Sequence, residues 1–91
     1  MSEDIATAPA ELVKRGLDAL FSGTREAEAF ALLRTAAESG DPQGQYLTGM
    51  LYHLGKGGTV RDQAQADAWL ARAAQQGHAD AQYELAQRRS L

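Results

Sequence analysis

The chain has 91 residues, 44% of them hydrophobic, a formal net charge of −3 and a pI near 5.2. That fits one small domain with a modest core. It argues against broad binding to a nucleic-acid backbone, which needs a basic stripe. Cysteine is absent, so there is no disulfide and no thiolate metal site. No apolar run approaches the roughly 18 residues of a membrane span, and the acidic start, Met1-Ser2-Glu3-Asp4, lacks the features of a secretory signal. These features predict a soluble, cytoplasmic protein with no membrane partner.

Residues 1–8 are small and polar without period and read as a disordered end. Pro9 stands where a first helical turn can begin, because its missing N–H costs nothing there. From Ala10 to Ser22 the apolar residues Leu12, Val13, Leu17, Leu20 and Phe21 cover one side of a helix. Gly16 lies within that side and admits a close neighbour. Ser22-Gly23 stops this helix.

Thr24 is a candidate N-cap for a second helix, with Glu26 and Glu28 in its positive first turn. Ala29, Leu32, Leu33, Ala36 and Ala37 form a stripe of helical period. Gly40 ends that helix in a left-handed position. Asp41-Pro42 opens a third helix, which runs to about Leu54. Gly55-Lys56-Gly57-Gly58-Thr59 is a loop. Its spacing is wrong for a phosphate loop, and no strand precedes it. Asp62 caps a fourth helix, with the stripe Ala66, Trp69, Leu70, Ala73 and Ala74, and Gly77 ends it. A fifth helix runs from about Ala79 to Arg89. Arg88 and Arg89 there complement the negative helix end, as the pair Arg34/Glu38 supports the second helix.

Writing Ala27–Met50 above Ala64–Gln87 shows an internal repeat at a fixed offset of 37 residues. Beyond five shared alanines, Leu33/Leu70, Gly40/Gly77, Gln45/Gln82 and Tyr46/Tyr83 coincide. A period of about 20–50 residues marks a stacked repeat architecture. Each unit is a helical pair that cannot bury its apolar face alone. The predicted fold is all-α: helix pair, helix pair and one closing helix.

The residues Thr48-Gly49-Met50-Leu51-Tyr52, Gly55-Lys56-Gly57, Val60-Arg61-Asp62, Ala66, Trp69, Ala73-Ala74, Gly77-His78 and Ala81-Gln82-Tyr83-Glu84-Leu85 resemble the Sel1-like repeat. Its pattern is Leu-Gly-x-x-Tyr-x-x-Gly-x-Gly-Val-x-x-Asp, then an Ala-rich helix ending Ala-Ala-x-x-Gly-His, then Ala-x-x-x-Leu. Thr48 stands where that family has Leu and Gly44 where it has Ala, and the loop Gly55–Asp62 carries one extra residue. The resemblance implies a short tetratricopeptide-like α-solenoid of two helix–turn–helix repeats, about 10–40 and 41–77, with a closing helix over 78–90. It also implies a protein–protein adaptor, including the form of an inhibitor or immunity-type partner of an enzyme.

In such a solenoid the first helix of each pair lines the concave side. That places Gln43, Tyr46, Met50 and His53 on the third helix, and Asp80, Tyr83 and Gln87 on the fifth, as partner-binding residues, with Phe21 as a further apolar contact. The third helix is apolar on two sides, with Leu51 and Tyr52 on one and Tyr46, Leu47, Met50 and Leu54 on the other. Leu47 and Leu54 are expected to pack between layers. Tyr and Met favour adaptable contacts. The alternative reading is a homo-oligomer, with the outer face of the last helix docking on a second copy. Neither His53 nor His78 has a second His or an acid at i+4, so no metal is expected. No cofactor motif and no nucleophile–base pair is found, so the chain does not read as an enzyme.

Overall fold

Ala8 precedes a proline and takes the extended conformation that position favours, with its carbonyl accepting the Leu12 N–H at 2.9 Å. Helix α1 (Pro9–Ser22) starts there and ends at Gly23, whose φ of 74° is left-handed. The structure, a computed structural model, describes residues 8–23 and 25–89. Ala8, which the sequence pattern assigns to a disordered end, is the N-cap of α1; residues 1–7, the rest of that expected segment, and the expected cap Thr24 lie outside the described residues.

Four more helices follow: α2 (Glu26–Glu38), α3 (Pro42–Leu54), α4 (Gln63–Gln75) and α5 (Ala79–Arg89). No strand occurs among the described residues. Helix α2 starts from Arg25 without a side-chain cap. Arg25 Nε instead donates to Glu28 Oε1 at 2.8 Å, which holds the Glu28 carboxyl below the usual carboxylate range. The side chains of Asp41 and Asp62 accept the N–H groups of Gly44 and Gln65 and cap α3 and α4 as their positions predict.

The two long repeats end alike. After α2, Gly40 N–H bonds to the Ala37 carbonyl and Asp41 N–H to that of Ala36; after α4, Gly77 and His78 do the same to Ala74 and Ala73. This is the Schellman arrangement, which turns the chain sharply into the next helix. The shared glutamines also have one task. Gln45 Nε2 donates to the Ala37 carbonyl at 3.2 Å, and Gln82 Nε2 to that of Ala74 at 3.1 Å. Each adds a second hydrogen bond to a carbonyl in the last turn of the preceding helix.

Consecutive helices pack side by side, and α1 also touches α3. Leu12 and Val13 of α1, Leu33 and Ala36 of α2 and Leu51 of α3 form the first core cluster. Ala37, Tyr52, Ala66 and Trp69 form the second, where Phe30 meets Tyr52 edge-on at 5.3 Å. Leu70, Ala73, Ala81 and Leu85 form the third, with Tyr46 and Met50 packed against it. The apolar stripes of α2 and α4 thus face adjacent layers rather than water. The stack extends 46 × 28 × 17 Å. It is the short α-solenoid that the repeat predicts. One side chain departs from expectation: Leu47 is half-buried against the first cluster, but Leu54 is 53% exposed. Leu54 is the last residue of α3 and lies outside all three core clusters.

Candidate partner-binding face

The residues expected on the concave side of α3 gather along its seam with α5. Gln43 is exposed, and its Oε1 lies 2.7 Å from His78 Nε2. Tyr46 is half-buried and stacks on the His78 ring at 4.7 Å between centroids and 23° between planes. Met50 packs on the third cluster. His53 is half-buried beside Gln63 and Arg88. Asp80, Tyr83 and Gln87 of α5 are exposed, Tyr83 to 63%. They recur at i, i+3 and i+7 and so share one side of that helix. Phe21, 81% exposed, stands apart at the end of α1.

His78 does more than follow a turn. Its Nδ1 accepts the Ala81 N–H at 3.2 Å, so it caps α5 as Asp41 caps α3. With Nδ1 an acceptor, the proton sits on Nε2 and is donated to Gln43. The signal was in the repeat itself, because the offset of 37 lays His78 over Asp41 and Ala81 over Gly44.

The face is electrically uneven. At the start of α5, Asp80 and Glu84 lie near Tyr46; burial chiefly, and then these two carboxylates, push the Tyr46 hydroxyl above its ordinary pKa. At the other end, where α3 and α5 finish and α4 begins, a pocket of about 300 Å³ is lined by His53, Arg61, Gln63, Asp67 and Arg88. Arg88 Nε donates to Asp67 Oδ1 at 2.6 Å. Its terminal nitrogens contact His53 Nδ1 at 2.7 Å and Gln63 Oε1. Arg88 therefore serves this pocket as well as its own helix end. Sequence reasoning picked only His53 from this group. The others come from a loop and two helices, and no local spacing links them.

Among the described residues no three His, Cys, Asp or Glu side chains gather as they would around a metal ion. No described helix is long and apolar enough to cross a membrane.

Stacked helical hairpins of one period, joined by glycine turns, define a helical repeat protein. The family model for the Sel1 repeat matches residues 20–41, 42–78 and 79–90, and the chain belongs to that family. The third match covers only α5, the first helix of a unit. Sel1 repeats generally serve as protein–protein interaction modules and are typically non-catalytic. No curated protein and no solved structure matches the chain.

Proposed function

We propose that this chain is an adaptor or regulator that holds a segment of another protein along α3 and α5. Gln43, Tyr46, Met50, His53, Asp80, Tyr83 and Gln87 form the contact surface. One observation carries the reading. Tyr83 stands 63% exposed on the α5 side that also bears Asp80, whose charge reaches the half-buried Tyr46. A large aromatic kept in water is the residue type that anchors contact sites. Tyr46 is fixed by its stack on His78, so it offers a rigid surface and loses little freedom on binding. Blocking an enzyme, as an inhibitor or immunity-type partner does, is one use of such a face.

A peptide-display selection on the immobilised chain tests this. Selected peptides should lose about tenfold or more in affinity against Tyr83→Ala, the loss expected of an aromatic anchor. Tyr83 is exposed, so the variant keeps its fold. Equal affinity for both proteins would refute the choice of face.

The exposure of Tyr83 on the last described helix also favours a second reading, self-association through α5. Light scattering separates the two: a dimer that Tyr83→Ala dissociates supports self-association, and a monomer leaves the face for a different protein.

A further inference from the structure

We propose that the pocket between the ends of α3 and α5 and the start of α4 binds a carboxylate, and that it anchors one acidic side chain of the bound segment. This rests on the reading of the α3–α5 face as a partner site and assigns the chemistry at one end of it.

Arg88 is held ready. Its side chain is only 16% exposed, and three partners fix the guanidinium plane: Asp67 at Nε, and His53 and Gln63 at the terminal nitrogens. A guanidinium has five N–H groups. Three are engaged, which leaves one N–H on each terminal nitrogen to donate to a carboxylate. Because a guanidinium only donates, His53 Nδ1 must accept, and its proton lies on Nε2 as a further donor in the pocket lining. Arg61 is exposed on the loop and makes no hydrogen bond or ion pair with another described residue. It is a cation on the pocket wall with no described counter-ion.

Charge selects the ligand. Arg61 and Arg88 against Asp67 leave the pocket with one net positive charge, in a chain of formal charge −3. A single carboxylate matches that charge. A phosphate group, at about −1.5 to −2 near neutral pH, would overcompensate and press on Asp67. A volume near 300 Å³ is at the small end for ligand pockets and suits a side chain better than a large cofactor.

The same helix sets a direction. Glu84 and Asp80 lie four and eight residues before Arg88, about 6 and 12 Å along α5. A segment with its acid in the pocket therefore gains by placing a basic residue toward Asp80 and Glu84. The reversed segment meets like charges at both ends, which suppresses that orientation.

Amide NMR titration of the full chain tests the pocket with three probes: a blocked peptide acetyl-Ala-Glu-Leu-Ala-amide, its Gln counterpart, and inorganic phosphate. The Glu peptide should shift the Gln63 and Asp67 amides in a saturable way, with the Gln peptide about fivefold weaker or more. Arg61→Gln should weaken the Glu peptide severalfold. Asp67→Asn, which removes the resident carboxylate, should tighten it. Both positions are exposed, and the unperturbed amide spectrum reports that each variant is folded. Equal binding of the two peptides, or no tightening in Asp67→Asn, would overturn the proposal, as would phosphate shifting these amides when neither peptide does. Peptide shifts at Met50 and Tyr83 without any at Gln63 and Asp67 would keep the α3–α5 face and remove the pocket; peptide shifts at neither pair would remove both.

Discussion

Leu33 of α2 lies so close over Gly16 of α1 that a Cβ built on Gly16 would fall 2.7 Å from Leu33 Cγ. The next hairpin repeats the relationship, with Leu70 of α4 over Gly49 of α3 at 2.9 Å. Both leucines are fully buried and have no room to withdraw. Each hairpin is thus a glycine groove on the first helix filled by a leucine from the second, which brings the two axes close.

Gly16→Ala and Gly49→Ala should each lower stability by about 1–3 kcal/mol through overpacking. Alanine's helix preference, about 1 kcal/mol, works against that loss without cancelling it. Gly49 should suffer more, because the Ala66 carbonyl stands 3.1 Å from its added Cβ and a backbone atom cannot rotate aside. Gly44 gives a sharper case. The family pattern has alanine there, yet an added Cβ would lie 2.9 Å from the Ala37 nitrogen. The change toward the family residue should therefore destabilise this chain. Urea midpoints of the three variants decide it, and a rise for Gly44→Ala would show that the α2–α3 contact relaxes freely.

Thr48 presents the opposite problem. It is fully buried, and its Oγ1 has no hydrogen-bond partner among the described residues. A buried hydroxyl without a partner costs about 1–3 kcal/mol on mutational scales. Thr48→Val keeps the shape and removes that cost, so it should raise stability by about 1 kcal/mol in a urea melt. A loss instead would mean that the hydroxyl has a partner in solution.

His78 joins two functions in one ring, capping α5 and stacking on Tyr46. His78→Ala removes both and should cost about 1–2 kcal/mol, the upper range for a lost cap. His78→Asn restores a good capping residue without the stack and should recover part of that loss. If Asn and Ala melt together, the cap contributes nothing and the stack carries the whole effect.

These positions show what could be read in advance. Helix starts at Pro9, Asp41 and Asp62, helix ends at Gly23, Gly40 and Gly77, and the buried stripes of α2 and α4 all follow from local chemistry: caps, left-handed glycines and a 3.6-residue period. The two-sided apolar character of α3 was legible too. Its meaning was not, because sequence gives the direction of a side chain but not the distance to the next layer. That distance half-covers Tyr46 and Met50 beneath α5 and leaves Leu54 in water. The pocket was hidden for a related reason. His53, Arg61, Gln63, Asp67 and Arg88 span 36 residues, and only the stacking of α5 on α3 and α4 brings Arg88 to the rest.

The seam also predicts a response to alkaline pH. Burial first, and then Asp80 and Glu84, raise the Tyr46 hydroxyl above its ordinary value of about 10. In the unfolded chain that hydroxyl ionises near its ordinary value. The folded form therefore holds a proton that the unfolded form releases as pH climbs past about 10. The resulting stability is complete below that pH and is lost as pH rises through the folded value. Wild type should weaken between about pH 9 and 11 more steeply than Tyr46→Phe, in which no proton is released at this position. Other alkaline titrations are common to both proteins and cancel in the comparison. Glu84→Gln should move the Tyr46 ionisation part of the way back toward 10, read as the difference in phenolate absorbance between this variant and the same variant carrying Tyr46→Phe. Parallel stability curves for wild type and Tyr46→Phe across that range would mean that Tyr46 is as well hydrated in the fold as outside it.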